Sequence, residues 1–207
     1  MLPEFTLLFQ TESNPFACAL PLTIESVFME TSSQQQQWVL RAQVHDREAL
    51  ELLLRSIQPS LHRFLRGLVG GADADDVLQE VLIQVCRKLK WLRAPELFQP
   101  WAFRIASRAG VRYAKKHKRW IERSVDESVL ENLQAQAGPP IEELTNLVFN
   151  SDALSSASRA VLVLHYLEEM TLPEVAAILE VPLGTVKSRL AFGLTALRKH
   201  LANKRSL

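Results

Sequence analysis

The apolar residues of this chain return every three or four positions over long stretches, and nowhere do they alternate cleanly every second one. Between Asp46 and Gly70 they fall at Leu50, Leu53, Leu54, Ile57, Leu61, Phe64, Leu65 and Leu68, the spacing that lines one face of a helix. Gly70 and Gly71 stop the pattern. A second run, Val77, Val81, Val85 and Leu89, follows Asp73, Asp75 and Asp76, carboxylates that suit the positive end of a helix dipole. A third helix is expected from Trp101, after a loop bracketed by Pro95 and Pro100. It puts Trp101, Ile105, Ala109 and Tyr113 on one side and Arg104, Arg108, Arg112 and Lys116 on another. With no competing strand pattern, the expected fold class is all-α.

Residues 120–150 break the period, are acidic and contain Gly138, Pro139 and Pro140 in a row, which marks a flexible linker. The chain of 207 residues then divides into two small helical domains, 38–120 and 150–207, joined by a linker over 121–149. Residues 1–37 carry scattered Pro3, Pro15 and Pro21 and end in four glutamines; they are expected to be a poorly ordered extension, and Met29 offers an alternative start. Cys18 and Cys86 show no metal or redox spacing. No apolar run approaches the ~18 residues of a membrane span, and the first basic residue is Arg41, so neither membrane insertion nor a signal peptide is expected and the cytoplasm is the expected compartment.

A net charge of +1 conceals strong segregation. Residues 104–119 hold seven Lys and Arg (Arg104, Arg108, Arg112, Lys115, Lys116, Lys118, Arg119) and no acid, whereas residues 120–160 hold seven acids against Arg123 and Arg159. From Lys187 onward every charged residue is basic. Two acid-free basic stretches on a neutral chain read as two contact surfaces for a polyanion.

Residues 171–199 contain two helical patterns separated only by a few residues around Val181 and Pro182, the spacing of a helix-turn-helix. Leu172, Val175, Ala176 and Leu179 form the inner face of the first helix; Val186, Leu190, Leu194 and Leu197 form that of the second. Gly184, Thr185, Lys187, Ser188 and Arg189 then occupy the first turns of the second helix, where base edges and phosphates are met. Spacing alone also allows a plain helical hairpin with a solvated basic face.

These residues resemble the extracytoplasmic-function (ECF) sigma factors of bacterial RNA polymerase. The GTVKSRL run at 184–190 is similar to that family's -35-reading helix-turn-helix, DADDVLQE at 73–80 to its polymerase-clamp-binding helix, and PWAFRIA at 100–106 with the basic helix after it to its -10-reading segment. The resemblance implies a sigma factor that binds core polymerase and directs promoter recognition, strand opening and transcription initiation. Asp75, Asp76, Gln79 and Glu80 would offer acceptors to the clamp helices of the largest subunit. Arg104, Arg108, Arg112, Lys115, Lys116 and Arg119 would hold the -10 region, with residues 92–100 capturing an unstacked base. Trp101 and Tyr113 would either stack on bases or pack in the core. Promoter DNA, the clamp helices and flap of core polymerase, and an anti-sigma factor are the implied partners.

The chain departs from the family pattern at several places. Glu180 stands at the helix-turn-helix corner where Gly is common, Leu82 and Cys86 replace aromatics in the clamp-binding helix, and Phe192 and Leu194 stand where further arginines are frequent. No nucleophile elbow, Gly-rich phosphate loop or metal-ligand cluster is present, so no enzyme, cofactor or metal is expected. The alternative reading is a stand-alone helix-turn-helix regulator that never touches polymerase.

Overall fold

In the computed structural model, described over residues 22–116, 148–149 and 154–205, only helices and turns occur among the described residues. Residues 1–21, Arg119 and all of the expected linker except 148–149 lie outside the described residues. The N-terminal half contains α1 (Leu22–Gln43), α2 (Arg47–Val69), α3 (Gly71–Lys88) and α4 (Phe98–Lys116). The C-terminal half contains α5 (Ser156–Leu162), a π-helical turn (Val163–Leu167), α6 (Leu172–Leu179) and α7 (Leu183–Arg205).

Helix α1 begins at Leu22, inside the segment expected to be a poorly ordered extension. The glutamine run carries no apolar period, so nothing local announces a helix there. Contacts with α2 hold its C-terminal end instead: Val39 is fully buried, and Gln35 Nε2 donates to Ser56 Oγ at 3.3 Å.

Helix α2 begins where the sequence places it. The Asp46 side chain accepts from the Ala49 N–H at 3.1 Å and from Arg41 Nε at 2.8 Å. Those two bonds, the backbone one foremost, hold the Asp46 carboxyl below the ordinary carboxylate range. Gly70, at φ 95°, ends α2 and lets α3 leave at once.

Helix α4 starts at Phe98, earlier than the expected Trp101. Pro95 opens a 3-10 turn (Pro95–Leu97), and Pro100 sits in the first turn of α4, where its missing N–H has no partner to lose. Leu53, Ile57, Leu61, Phe64 and Leu65 of α2 are buried against α3 and α4. Phe64 meets Phe103 edge-on, with centroids 5.6 Å apart and an interplanar angle of 83°. A Cβ at Gly110 would lie 2.5 Å from Leu68 Cδ2, so α4 approaches α2 this closely only because that position has no side chain.

In the C-terminal half the expected single helix over 155–167 loosens after Leu162. The Glu168 N–H reaches back five residues to the Val163 carbonyl at 3.0 Å, and His165 Nδ1 donates to the Met170 carbonyl at 2.8 Å, which closes the wider turn. The two halves pack on each other, α2 against α5 and α4 against α6. Val161, Leu162, Val163, Leu164, Val175 and Ile178 share one buried cluster with Phe64 and Phe103.

Candidate nucleic-acid and polymerase interface

Helix α3 is sorted by its own spacing. Ala74, Val77, Leu78, Val81 and Val85 are buried, which leaves Asp75, Asp76, Gln79 and Glu80 exposed on the opposite face. His62 Nε2 lies 3.2 Å from Asp75 Oδ1, and Glu80 accepts from Gln84 Nε2 at 3.0 Å. Glu80 also pairs with Arg112 of α4. The sequence assigns these two residues to different partners; the structure joins them to each other.

Helix α4 turns Arg108, Arg112, Lys115 and Lys116 to solvent, while Arg104 is half-buried and its Nε has no hydrogen-bond partner. Trp101 and Tyr113 pack against the core, and the Trp101 ring centroid is 6.1 Å from that of Phe98. Of the two roles left open for these aromatics, this arrangement is the packing one.

The helix-turn-helix is built by a reciprocal cap. Glu174 accepts from the Thr171 N–H at 2.8 Å, and Thr171 Oγ1 accepts in turn from the Glu174 N–H. Pro173 in the first turn of α6 fits the same start. Helix α6 ends at Glu180, which is left-handed at φ 56° and ψ 43°, the strained geometry that Gly normally takes. Helix α7 follows from Leu183, with Val186 buried, Gly184 and Lys187 exposed, and Thr185, Ser188 and Arg189 half-buried. The Ser188 hydroxyl donates back to the Thr185 carbonyl at 2.9 Å. A Cβ on Gly193 would lie 2.9 Å from Leu162 Cδ1, so the glycine lets α7 cross α5 closely.

The corner residue has a partner in the other half. Arg108 of α4 donates to Glu180 twice, Nη2 to Oε1 at 2.5 Å and Nε to Oε2 at 3.2 Å. That fork holds the Glu180 carboxyl below its ordinary range and raises the guanidinium. A second bridge is more enclosed: Arg63 Nε of α2 donates to Glu168 Oε1 at 2.8 Å, and the Glu168 side chain is only 3% exposed. Burial pushes the Glu168 carboxyl above its ordinary range, opposed by Ser60 and Arg63. The Arg63–Glu168 pair spans 105 positions, so no local spacing announces it. Glu180 stood out in the sequence only as an unusual corner residue.

Against known proteins, the family model described as Sigma-70 region 2 matches residues 53–120, and Sigma-70, region 4 matches residues 152–199. The chain is 29% identical over 174 residues to the ECF RNA polymerase sigma-E factor of Escherichia coli (strain K12), covering 78% of this chain and 91% of that one. It is 25% identical over 169 residues to the ECF RNA polymerase sigma factor SigW of Bacillus subtilis (strain 168), covering 75% and 90%. Its fold resembles CnrH, solved in complex with the cytosolic domain of CnrY, with a TM-score of 0.56, 20% identity and coverage of 82% of this chain and 98% of that one. The two matched regions together span more than half of the sequence and fall on the two halves whose charged faces are described above: the chain belongs to the sigma-70 family, as a sigma factor of the ECF type.

Proposed function

We propose that this chain docks on core RNA polymerase through Asp75, Asp76, Gln79 and Glu80 of α3, and places α4 on the -10 element and the start of α7 on the -35 element. The observation that carries the assignment is the sorting of α3, which buries one face and presents Asp75, Asp76, Gln79 and Glu80 on the exposed one, with Asp75 and Glu80 also meeting His62 and Arg112 there. Arg104, Arg108, Arg112, Lys115, Lys116 and Arg119 would neutralise phosphates, and Lys187, Ser188 and Arg189 would meet the -35 duplex. Opening duplex costs about 1.4 kcal/mol per base-pair step, which capture of the unpaired strand has to offset. Catalysis then belongs to the polymerase. Among the described residues no helix is long and apolar enough to cross a membrane, consistent with work beside the polymerase in the cytoplasm. A stand-alone regulator would have no use for the face on α3.

On this reading the observed packing is a closed state in which the two reading helices do not reach both promoter elements at once. The -35 and -10 elements lie ~25 base pairs apart, about 85 Å at 3.4 Å per step, whereas α4 and α6 touch. Promoter binding therefore requires the halves to separate, which breaks Arg108–Glu180 and Arg63–Glu168. Reconstitution with core polymerase tests the function: run-off transcription is expected from a promoter that core alone ignores. Failure to join core, or to direct any start, refutes the reading.

A further inference from the structure

Phe192 is 45% exposed in the middle of α7, a helix whose charged residues are all basic from Lys187 onward. Helical spacing sets the ring on the side of α7 that carries Gly184, Ser188, Thr195 and Lys199, turned away from buried Val186, Gly193 and Leu197. The two hydroxyls nearest to it in the helical net turn their protons inward. Ser188 Oγ donates to the Thr185 carbonyl at 2.9 Å, and Thr195 Oγ1 donates to the Ala191 carbonyl at 2.9 Å. This stretch of the face therefore offers an aromatic ring, the methyl groups of Ala191 and Thr195 and hydroxyl lone pairs, with no hydroxyl proton left for a base edge. The rise from Gly184 to Phe192 is about 12 Å, close to the ~12 Å width of the major groove of B-DNA. Lys199 lies roughly 10 Å further along the axis, at the flanking phosphates, which leaves Phe192 as the last large side chain of that face within the span of the groove.

The group on a major-groove base edge that an apolar ring recognises is the C5 methyl of thymine. Arginine, which related chains often carry here, donates instead to the acceptors of guanine; Phe192 has no proton to give. The helix around the ring is free of acids and flanked by Lys187 and Lys199, both exposed, so its charge complements a duplex rather than an apolar protein groove. We infer that Phe192 is a specificity-determining residue, which selects thymine at one position of the -35 element by contact with the methyl group. The inference rests on the reading of the start of α7 as the part that meets the -35 duplex. It makes the chain's choice of promoters differ from that of an arginine-bearing relative at that one base pair.

The test uses holoenzyme and a promoter found by the run-off assay, with each thymine on either strand of the -35 element replaced in turn by deoxyuridine. That exchange removes the methyl and keeps the base pair. At one thymine the parent is expected to bind the deoxyuridine duplex about fourfold more weakly, the worth of one buried methyl-sized group. Phe192→Ala is expected to bind the two duplexes equally, with core affinity within twofold of the parent and an unchanged melting temperature. Equal binding of every deoxyuridine duplex by the parent overturns the inference, as does discrimination that survives in Phe192→Ala. A loss of core affinity in Phe192→Ala gives the ring to a protein surface and overturns it as well. If the parent ignores scrambling of the whole -35 element, the reading of α7 itself fails instead, so the two failures are distinguishable.

Discussion

Gly67 offers a way to force the two halves apart without touching either reading surface. It lies in α2, and the nearest atoms that a Cβ there would meet all belong to the other half: Val163 Cγ2 at 3.4 Å, Arg159 Cγ at 3.5 Å and Arg159 Cδ at 3.7 Å. A single methyl therefore reaches ordinary contact and no further. Gly67→Ala should leave the halves packed and gain about 0.5–1 kcal/mol from the helix interior. Gly67→Leu adds three more carbons where Val163 and Arg159 already stand, and overpacking of this kind costs about 1–3 kcal/mol. If the halves yield rather than the helices, that cost shifts the closed–open equilibrium about 5- to 150-fold toward open at 1.4 kcal/mol per tenfold. Spin labels on the exposed thiol of Cys86 and on a cysteine replacing exposed Lys199, in a Cys18→Ser background, report the separation. The parent and Gly67→Ala should share one short distance, whereas Gly67→Leu should add a longer, broader population at unchanged helical content. The reasoning fails if Gly67→Leu keeps the parental distance, or if Gly67→Ala opens as well.

Three further outcomes follow from residues at the inter-half contact and the two binding faces. Glu168 binds its proton more readily in the closed form than in water, because burial raises its pKa. Its contribution to closure should therefore grow as pH falls from neutrality and fade as pH rises through the raised value; Glu168→Gln should flatten that pH dependence of the inter-label distance. Asp76→Ala with Gln79→Ala should lower affinity for core polymerase tenfold or more while the melting temperature hardly moves, since both side chains are exposed; intact affinity in a core-binding titration would remove α3 from the interface. Arg189→Ala should weaken -35 duplex binding by about 1–3 kcal/mol, measured by fluorescence anisotropy of the holoenzyme, without altering core affinity.

The parts of this fold that were legible in the sequence are those governed by neighbours in the chain. The apolar period gave α2 and α3 their faces, Asp46 and Gly70 marked the ends of α2, and the spacing of Leu172, Val175, Ala176 and Leu179 announced α6. What escaped was set by distant contacts. Helix α1 has no stripe of its own and depends on Val39 and Gln35 meeting α2. Pro100 suggested a loop boundary but sits inside a first turn, where proline is tolerated. The cationic face of α4 was visible as a run of like charges, but Arg108 and Arg112 turned out to be held by Glu180 and Glu80. Only the folded chain could bring those acids within reach.

The left-handed corner at Glu180 has a bearing on how this protein could change. A glycine there would relax the backbone and, by the same substitution, release Arg108 from its fork. The backbone gain of about 1 kcal/mol would be set against the loss of the inter-half fork, so the folded halves would stay about as stable while their contact loosened. The glutamate at this bend thus accepts backbone strain in exchange for a bond that ties one half of the molecule to the other.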